Sequence, residues 1–322
     1  MKNERFSVID LGTNTFNLII AEPDEKSFKV VHREQIGVKI GQGGISKGYI
    51  TEAAQERLFR ALKNLTRTIQ AYQVESDRTW AVATSAFRHA KNAREIIQKI
   101  QTDTDIPVEV ISGNQEAEYI YFGVKTALQI GETNALVVDI GGGSVEFIIC
   151  NERKIHWKKS FEIGGQRLMD QFMRTDPISE LDIQRMEIYL ESQLLELSMM
   201  SFNYGPKVMI GASGAFDTLS EIEYRREHGD EHIYDFVDEF HHLRVKEHVL
   251  SIDDFHYICQ DIVRNDRDQR LQIPGMIEMR VDMIVVATIL IRFILEKLDL
   301  DCIRVSSYAL KEGYLMRKMI LG

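Results

Sequence analysis

Short apolar runs that end at glycine-rich turns dominate the pattern of this chain, and one such unit occurs twice. The first copy, Val8 to Ile20, reads VIDLGTNTFNLII, and the second, Val137 to Ile149, reads VVDIGGGSVEFII. In each copy an apolar run leads into an aspartate and a glycine turn, and a second run rich in apolar and β-branched residues follows. Runs of that composition favour strands over helices. Each copy is therefore predicted to form a strand, a glycine turn and a second strand.

The two copies match position by position, which indicates an internal duplication. The matched pairs are Asp10 with Asp139, Gly12 with Gly141, and Thr15 with Ser144. Because helical segments separate the copies, the sequence predicts the α/β class, with two similar domains facing each other across a cleft. Actin, hexokinase and Hsp70 share this organisation, and kinases, ATPases and phosphatases all use it, so the fold leaves the reaction open. We expect one actin-like (ribonuclease H-like) domain at 1–125, joined by a C-terminal helix at 305–322, and a second at 126–304.

Composition narrows the class of protein. A length of 322 residues suits two domains of ordinary size, and 44% hydrophobic with 27% charged residues is typical of a soluble globular protein. The formal net charge of −10 argues against nonspecific binding to nucleic acid. Any polyanion must therefore be bound by a local group of positively charged residues. The three cysteines, Cys150, Cys259 and Cys302, are odd in number and far apart, which predicts buried thiols instead of disulfides or a zinc site.

The longest apolar run, MIVVATILI from Met283 to Ile291, is interrupted by Arg292. It falls short of the roughly 20 apolar residues that a membrane span requires, so we predict a buried helix and no membrane partner. Met1 is followed by a strand pattern instead of the apolar stretch of a signal peptide. We therefore expect a cytoplasmic protein.

The glycines of the second copy favour phosphate binding at a hairpin tip. Rossmann and Walker loops run from a strand into a helix with different glycine spacings, which do not occur here. Glycines at a hairpin tip let a phosphate approach backbone N–H groups without meeting a Cβ atom. Asp139 before the turn and Glu146 after it would lie on facing strands and could share a divalent cation. The alternative is a hairpin whose glycines serve only the turn and whose carboxylates are solvated.

Three further strand ends carry candidate chemistry. A strand from Thr79 to Ala83 leads through Thr84 and Ser85 into one predicted helix, which carries Arg88, His89, Lys91 and Arg94. The helix N-terminus and Arg88 could meet an anion there. The alternative there is a solvated basic helix face. A second strand, from Val108 to Ile111, leads into a capping-box pattern, Ser112-x-x-Gln115, which places Glu116 in the first helical turn. A glutamate at that position complements the helix dipole even where it has no other role.

The third strand end is Gly211 to Gly214, where Ser213 and the backbone amides could hold another phosphate, or where the glycines could serve an ordinary loop. A different kind of cluster lies nearby, because six of the nine histidines fall between His228 and His256. His228 and His232 have the spacing of two ligands on one helix face. Charged residues surround them and no HExxH signature is present, so we favour a solvated helical region over a metal site.

Seven segments together resemble the exopolyphosphatase and guanosine pentaphosphate phosphohydrolase family, and they appear in that family's order. They are DLGTNTFNL, ATSAFRHAKN, VEVISGNQEAEYIYFGV, VVDIGGGSVEF, IGASGAFDTL, IPGMIEMRVDMI and SSYALKEGYL. In relatives the glutamate just before alanine in the ISGxxEA segment acts on the attacking water, and that position here is Glu116. The implied catalytic residue is therefore Glu116, and the implied reaction is hydrolysis of a terminal phosphoanhydride.

The resemblance also implies the binding residues. Those implied for phosphate are Thr13, Asn14, Thr15, Arg88, Gly141, Gly142, Gly143, Ser144, Ser213, Gly214 and Arg280. Those implied for the metal are Asp139, Glu146 and Asp10, with Mg²⁺ as the ion and room for Mn²⁺ or a monovalent cation as well. Inorganic polyphosphate is the expected substrate and guanosine pentaphosphate its rival. Interpretations from other classes are an ATP-using kinase or ATPase, and a non-catalytic sensor of polyphosphate or an alarmone.

Several positions depart from the family pattern. Gln115 stands where many members have a second glutamate, which removes a negative charge beside the proposed base, and Val145 replaces a threonine. Asn17 stands where relatives often carry a cation, and Ser307 and Ala309 alter the C-terminal motif. The chain resembles the short, two-domain form that lacks an HD-type helical domain, so chain-length preference and processivity stay open. Relatives are often dimers, so a homodimer is an expectation from resemblance alone.

Overall fold

Two mixed β-sheets with helices on both faces make up the structure, a computed structural model that describes residues 4–25, 27–212, 214–229 and 246–320. The first sheet contains β1 (Phe6–Leu11), β2 (Thr15–Asp24), β3 (Ser27–Gly37), β4 (Thr79–Ala83) and β5 (Val108–Val110). The second contains β6 (Ala135–Ile140), β7 (Val145–Cys150), β8 (Ile155–Phe161), β9 (Val208–Ala212), β10 (Glu247–Leu250) and β11 (Cys302–Ser306).

The strand orders confirm the duplication. The first sheet runs β3-β2-β1-β4-β5, and the second runs β8-β7-β6-β9-β11 with β10 added at its edge. In both sheets the glycine turn joins an antiparallel hairpin, β1–β2 or β6–β7, and the first strand of the hairpin pairs in parallel with the next crossover strand, β4 or β9. The predicted α/β class with two actin-like units is confirmed.

Strand register places the carboxylates of the repeat at equivalent points. Asp139 lies directly opposite Glu146 in the β6–β7 pair. Asp10 lies directly opposite Asn17 in the β1–β2 pair. The first hairpin therefore presents an amide where the second presents a carboxylate, and only the second hairpin pairs two acidic side chains.

The helices fall into three layers around the sheets. Their bounds are α1 (Glu52–Ala71), α2 (Ser85–His89), α3 (Ala93–Thr104), α4 (Gly113–Ala127), α5 (Gly165–Phe172), α6 (Glu180–Gln193), α7 (Leu195–Tyr204), α8 (Gly214–His228), α9 (Ile252–Arg264), α10 (Arg267–Arg270), α11 (Met283–Leu298) and α12 (Leu310–Ile320). Helices α1 to α3 cover the outer face of the first sheet, and α5 to α9 with α11 cover the outer face of the second.

Helices α4 and α12 form the middle layer and share one core with the inner faces of both sheets. Two glycines permit their close approach. A Cβ atom on Gly123 would lie 2.0 Å from the carbonyl oxygen of Ala309, and one on Gly313 would lie 1.8 Å from that of Tyr119. Because α12 packs here, the chain's C-terminal segment borders the cleft between the sheets.

Three expectations about local structure can be compared with the observed fold. The MIVVATILI run lies in α11 and is buried, as predicted, and no described helix has the length and apolar character to cross a membrane. The predicted basic helix after Ser85 is wrong in its extent, because it divides into α2 and α3. The break occurs where Asn92 exchanges two hydrogen bonds with the backbone of Ile50 instead of continuing a helix.

All three cysteines are free, with Cys150 and Cys259 buried and Cys302 half-buried.

The histidine-rich stretch is only partly described, since His232, His241 and His242 lie outside the described residues. His228 is exposed, stacks on Tyr224, and lies 3.0 Å from that residue's carbonyl oxygen. His248 in β10 pairs with Glu223 at 2.9 Å. No described part of this stretch forms a cluster of metal ligands.

Candidate active site

A cavity of about 120 Å³ opens between the two sheets, at the tips of both hairpins. It is lined by most of the predicted site residues, namely Asp10, Thr13, Asn14, Thr15, Glu116, Asp139, Gly141, Gly142, Gly143, Ser144, Glu146, Gly214 and Arg280. Arg88 lies against its wall and contacts two of the lining residues. Ser213 lies outside the described residues. Residues that are far apart in the sequence thus converge on one cavity.

Glu116 enters the cavity from the first turn of α4. The predicted capping box is present, with Ser112 accepting from the backbone N–H of Gln115, so the start of the helix is well defined. The Glu116 side chain is buried and accepts a hydrogen bond of 2.5 Å from Arg88. Burial raises the pKa of Glu116 to about 7, since it outweighs the opposing effect of Arg88 and is reinforced by Asp139 and Asp10. A carboxylate with that pKa can accept a proton near neutral pH.

Arg88 connects three parts of the site. Besides Glu116, its guanidinium donates to the carbonyl oxygen of Ile111 at 3.2 Å and to the hydroxyl of Ser144 at 3.3 Å. It also lies 4.0 Å from Glu146. Arg88 therefore bridges the helix that carries Glu116 and the glycine loop of the second hairpin (Gly141–Ser144).

Asp139 and Glu146 face each other beside the glycine loop, and both are buried. Burial raises the pKa of Glu146 well above its usual range, and the charges of Glu116 and Asp139 raise it further. Ser160 donates a hydrogen bond of 2.6 Å to Glu146. A facing pair of buried carboxylates of this kind is stabilised by a cation, which would offset the repulsion between their negative charges.

This donor set fits a magnesium ion of the kind that phosphate-processing enzymes bind. Among the described residues no group of three or more Asp, Glu, His or Cys side chains is assembled to hold a metal. Mg²⁺ commonly binds through one or two carboxylates, with water and substrate phosphate completing its shell. Asp139 and Glu146 are donors of that kind and face each other across the β6–β7 pair, and the assignment of Asp139, Glu146 and Asp10 as the metal ligands stays a prediction.

The Asp10 carboxylate is hydrogen-bonded to a pair of linked amide side chains, Asn17 on β2 and Gln35 on β3. Asn17 donates to Asp10 at 3.1 Å and accepts from Gln35 at 2.6 Å. Burial raises the pKa of Asp10 to about 6, against the opposing effects of Lys311 and the Asn17 hydrogen bond. The Asn17 amide thus orients Asp10.

Arg280 packs against Gly214 at the N-terminus of α8. A Cβ atom on Gly214 would fall 1.8 to 2.0 Å from the guanidinium atoms of Arg280, so only glycine permits this contact. The Nε atom of Arg280 is buried, and no hydrogen-bond partner for it occurs in the described part of the chain. Burial lowers the pKa of this guanidinium. An anion in the cavity would compensate for its buried charge.

Sequence reasoning missed the segment that supports the glycine loop from behind. In this bracing segment (Glu162–Arg167), the N–H groups of Gly164, Gly165 and Gln166 donate to the carbonyls of Gly143, Gly141 and Gly142 at 3.2, 2.9 and 2.9 Å. Arg167 Nε adds a hydrogen bond of 2.8 Å to the Gly143 carbonyl. A Cβ atom on Gly164 would lie 2.4 Å from the carbonyl carbon of Gly143. The paired glycines Gly164 and Gly165, which follow shortly after the end of β8, were the signal that could have revealed it.

Comparison with known proteins shows which family this chain belongs to. The family model described as Ppx/GppA phosphatase family matches residues 19–321. The chain belongs to the Ppx/GppA phosphatase family. A solved exopolyphosphatase from Cytophaga hutchinsonii is 39% identical, with 98% of each chain covered and a TM-score of 0.91. The PPX-GPPA enzyme of Aquifex aeolicus is 27% identical, with 97% of this chain and 99% of that chain covered and a TM-score of 0.76.

A curated relative, the bifunctional 3-dehydroquinate synthase/phosphatase of Fusobacterium nucleatum, is 29% identical over 308 residues. The match covers 92% of this chain and 44% of that protein, so this chain spans less than half of the length of that relative. The shared region therefore corresponds to one part of a larger protein in that organism.

Two departures from the Ppx/GppA pattern acquire a structural meaning. Gln115 is exposed, and its side-chain oxygen accepts from the backbone N–H of Ser112 at 2.9 Å, so it closes the helix cap. Its effect on the charge beside Glu116 stays a prediction, and the structure adds a role for Gln115 in closing the start of α4. Val145 is fully buried in the core of the second sheet, where a hydroxyl would need a partner. Lys311 of the KEG motif, to which the sequence had assigned no role, lines the cavity together with Ser307.

Proposed function

We propose that this chain is a Mg²⁺-dependent exopolyphosphatase, which hydrolyses the terminal phosphoanhydride of inorganic polyphosphate. One observation carries the proposal. The buried Glu116, with a pKa raised to about 7, lies in the same cavity as the glycine loop and the facing pair of Asp139 and Glu146. A proton acceptor, an anion cradle and a cation site are the three elements that phosphoanhydride hydrolysis needs.

The cation would be held by Asp139 and Glu146. When bound, Mg²⁺ would neutralise negative charge on the phosphates. The chain supplies the remaining positive charge, because Arg88 and Arg280 approach the cavity from the first and the second sheet respectively. The chain as a whole carries a net charge of −10 and would repel a polyanion. The arginines at the cavity therefore provide the local positive charge that attracts one.

The reaction uses Glu116 to orient and deprotonate the attacking water. The water oxygen forms a bond to the terminal phosphorus, its proton passes to Glu116, and the bridging P–O bond breaks to release a chain shorter by one phosphate. Backbone N–H groups of the glycine loop, with Ser144 and Arg88, receive the terminal phosphate. A glutamate in water has a low proton affinity and would be a weak base. Burial raises the pKa of Glu116 and so makes it a stronger base than a glutamate in water.

The choice of polyphosphate over other phosphoanhydrides is supported by the likeness to the Cytophaga hutchinsonii exopolyphosphatase. Guanosine pentaphosphate stays the rival substrate. The test is phosphate release by the purified protein from long polyphosphate, short polyphosphate, guanosine pentaphosphate and ATP, each with Mg²⁺ and with EDTA. Release from polyphosphate that EDTA abolishes is the expected result. Turnover of guanosine pentaphosphate alone or ATP alone would replace the proposed substrate, and no turnover would favour a sensor.

A further inference from the structure

We propose that Glu162 is a positioning residue, which holds Arg88 against the glycine loop although it does not line the cavity itself. This inference rests on the proposed function, because Arg88 is taken to act on the phosphate. Glu162 follows β8 in the second half of the chain, whereas Arg88 lies on α2 in the first half. The contacts of its carboxylate join these two halves directly.

The first contacts of Glu162 are with α2. Its carboxylate accepts a hydrogen bond of 3.0 Å from the hydroxyl of Ser85 and lies 2.8 Å from Nε2 of His89. Arg88, between these two residues, lies 4.0 Å from the same carboxylate. One side chain thus engages both ends of a five-residue helix and attracts the cation between them.

Helix α2 depends on tertiary contacts, which include the burial of Ala86 and Phe87 as well as the contacts of Glu162. It contains only five residues and has no side-chain hydrogen bond at its N-cap, Thr84. A helix this short is not stable without tertiary contacts. The position of α2 relative to the second sheet therefore affects how the Arg88 guanidinium, which bonds Glu116 and Ser144, is held at the glycine loop.

The other contact of Glu162 is with the bracing segment. Arg167 donates to Glu162 at 2.9 Å and, through its Nε atom, to the carbonyl of Gly143 at 2.8 Å. Gly143 also packs against Ser85, since a Cβ atom there would lie 2.4 Å from the Ser85 hydroxyl. A continuous path of hydrogen bonds therefore runs from α2 through Glu162 and Arg167 to the glycine loop. Misplacement of a binding group by about 1 Å can cost on the order of 10²-fold in rate.

The experiment compares Glu162→Ala, His89→Ala and their double variant with Glu196→Ala as a matched control. Glu196 is also a partly exposed carboxylate that bonds side chains of β8, Trp157 and Lys159, but it lies away from α2. The first readout is amide hydrogen exchange at Arg88 and Ala90, whose N–H groups donate to Thr84 and Ala86. The second readout is kcat/KM for polyphosphate, and the third is the melting temperature.

We expect exchange at these amides to accelerate at least about tenfold in Glu162→Ala and His89→Ala, and to stay unchanged in Glu196→Ala. The kcat/KM value should fall by about 10- to 100-fold in Glu162→Ala. The double variant should lose less than the product of the single losses, as expected for coupled side chains. Glu162→Gln, which keeps the acceptor for Ser85, should retain an intermediate kcat/KM.

The proposal is overturned if α2 exchanges at the wild-type rate in Glu162→Ala, or if Glu196→Ala accelerates α2 exchange equally. It is also overturned if the fall in kcat/KM is explained by a general loss of stability, with a matching fall in melting temperature. Hydrogen exchange needs no substrate. A wild-type protein that hydrolyses nothing but shows the expected exchange pattern would refute the proposed function while leaving the positioning role of Glu162 in place.

Discussion

The guanidinium of Arg88 and the carboxylate of Glu116 form an ion pair of 2.5 Å at the wall of the cavity. An ion pair alone would hold the carboxylate in its ionised form. Burial has the larger and opposite effect, and together they leave Glu116 with a pKa of about 7. The pair therefore fixes the direction of a base whose strength is determined by its surroundings.

Replacing Glu116 tests its role as the base. We expect Glu116→Gln to lower kcat by about 10²- to 10⁴-fold, because the amide keeps the shape of the side chain but cannot accept the proton. Steady-state phosphate release measures this. Glu118→Gln is the matched control, since Glu118 lies on the same helix and pairs with Lys158 at 2.6 Å outside the cavity. Equal losses in the two variants would contradict a specific role for Glu116.

The pH dependence of hydrolysis should reflect the raised pKa of Glu116. The reactive form is the carboxylate, so kcat/KM should rise with pH through about 7 and level off above it. Below that pH the protonated acid predominates, and activity should fall about tenfold for each pH unit. A pH–rate profile with an acid limb centred near the ordinary value for glutamate would show that burial does not control the base. The residual activity of Glu116→Gln should lack this limb.

The metal assignment predicts a changed magnesium requirement. Asp139→Asn should raise the Mg²⁺ concentration needed for half-maximal activity at least about tenfold, because an amide is a weaker ligand than a carboxylate for this ion. Titration of activity with Mg²⁺ after treatment with EDTA provides the measurement. Asp299→Asn, an exposed change of the same charge beside Lys207, serves as control. An unaltered midpoint in Asp139→Asn would remove Asp139 from the metal site.

The contact between Arg280 and Gly214 predicts an unusual sensitivity to one methyl group. Gly214→Ala should displace the guanidinium and raise KM for polyphosphate by about 10-fold or more, consistent with the loss of a charge-assisted hydrogen bond. Gly37→Ala is the control, because a Cβ atom there meets only Met279 at 3.6 Å, an ordinary contact distance. An unchanged KM in Gly214→Ala would show that Arg280 does not contact the substrate.

Glu312 predicts an acid-sensitive contribution to stability. It is fully buried, receives a hydrogen bond of 2.6 Å from Arg33 and one of 2.9 Å from the backbone N–H of Ala309, and lies 3.1 Å from Lys311. Burial alone would raise its pKa, but Lys311 and Arg33 lower it to about 2. Because the folded-state pKa is depressed, the stabilisation is complete above the unfolded value of 4.5 and is lost as pH falls towards 2.

Urea unfolding of the wild type and Glu312→Gln at two pH values measures this contribution. Glu312→Gln should lower the free energy of unfolding by roughly 3 kcal/mol near neutral pH, and by less near pH 3. Glu191→Gln removes an exposed pair with Lys297 at 2.6 Å and should cost less than about 1 kcal/mol. A difference between wild type and Glu312→Gln that does not narrow on acidification would contradict the ionised state of Glu312.

Local patterns predicted much of this site because the features concerned are local. The alternation of apolar run, aspartate and glycine turn was enough to place Asp139 opposite Glu146, since strand pairing across a tight turn has a fixed register. The capping box of α4 was visible for the same reason. The break between α2 and α3 was not visible, because it depends on Asn92 bonding to Ile50, which lies 42 residues earlier.

The sequence by itself determined the duplicated hairpins, the two sheets that they imply and the identity of the polar groups at the strand ends. Only the tertiary structure decided which of these groups meet and how strong a base Glu116 is. Packing both sheets around α4 and α12 excludes water from the carboxylates, and that desolvation raises their proton affinity. The support of the glycine loop by Gly164 and Gly165 was likewise decided by packing. Backbone hydrogen bonds between segments that are distant in the sequence produce no periodic pattern of residue types from which they could be predicted.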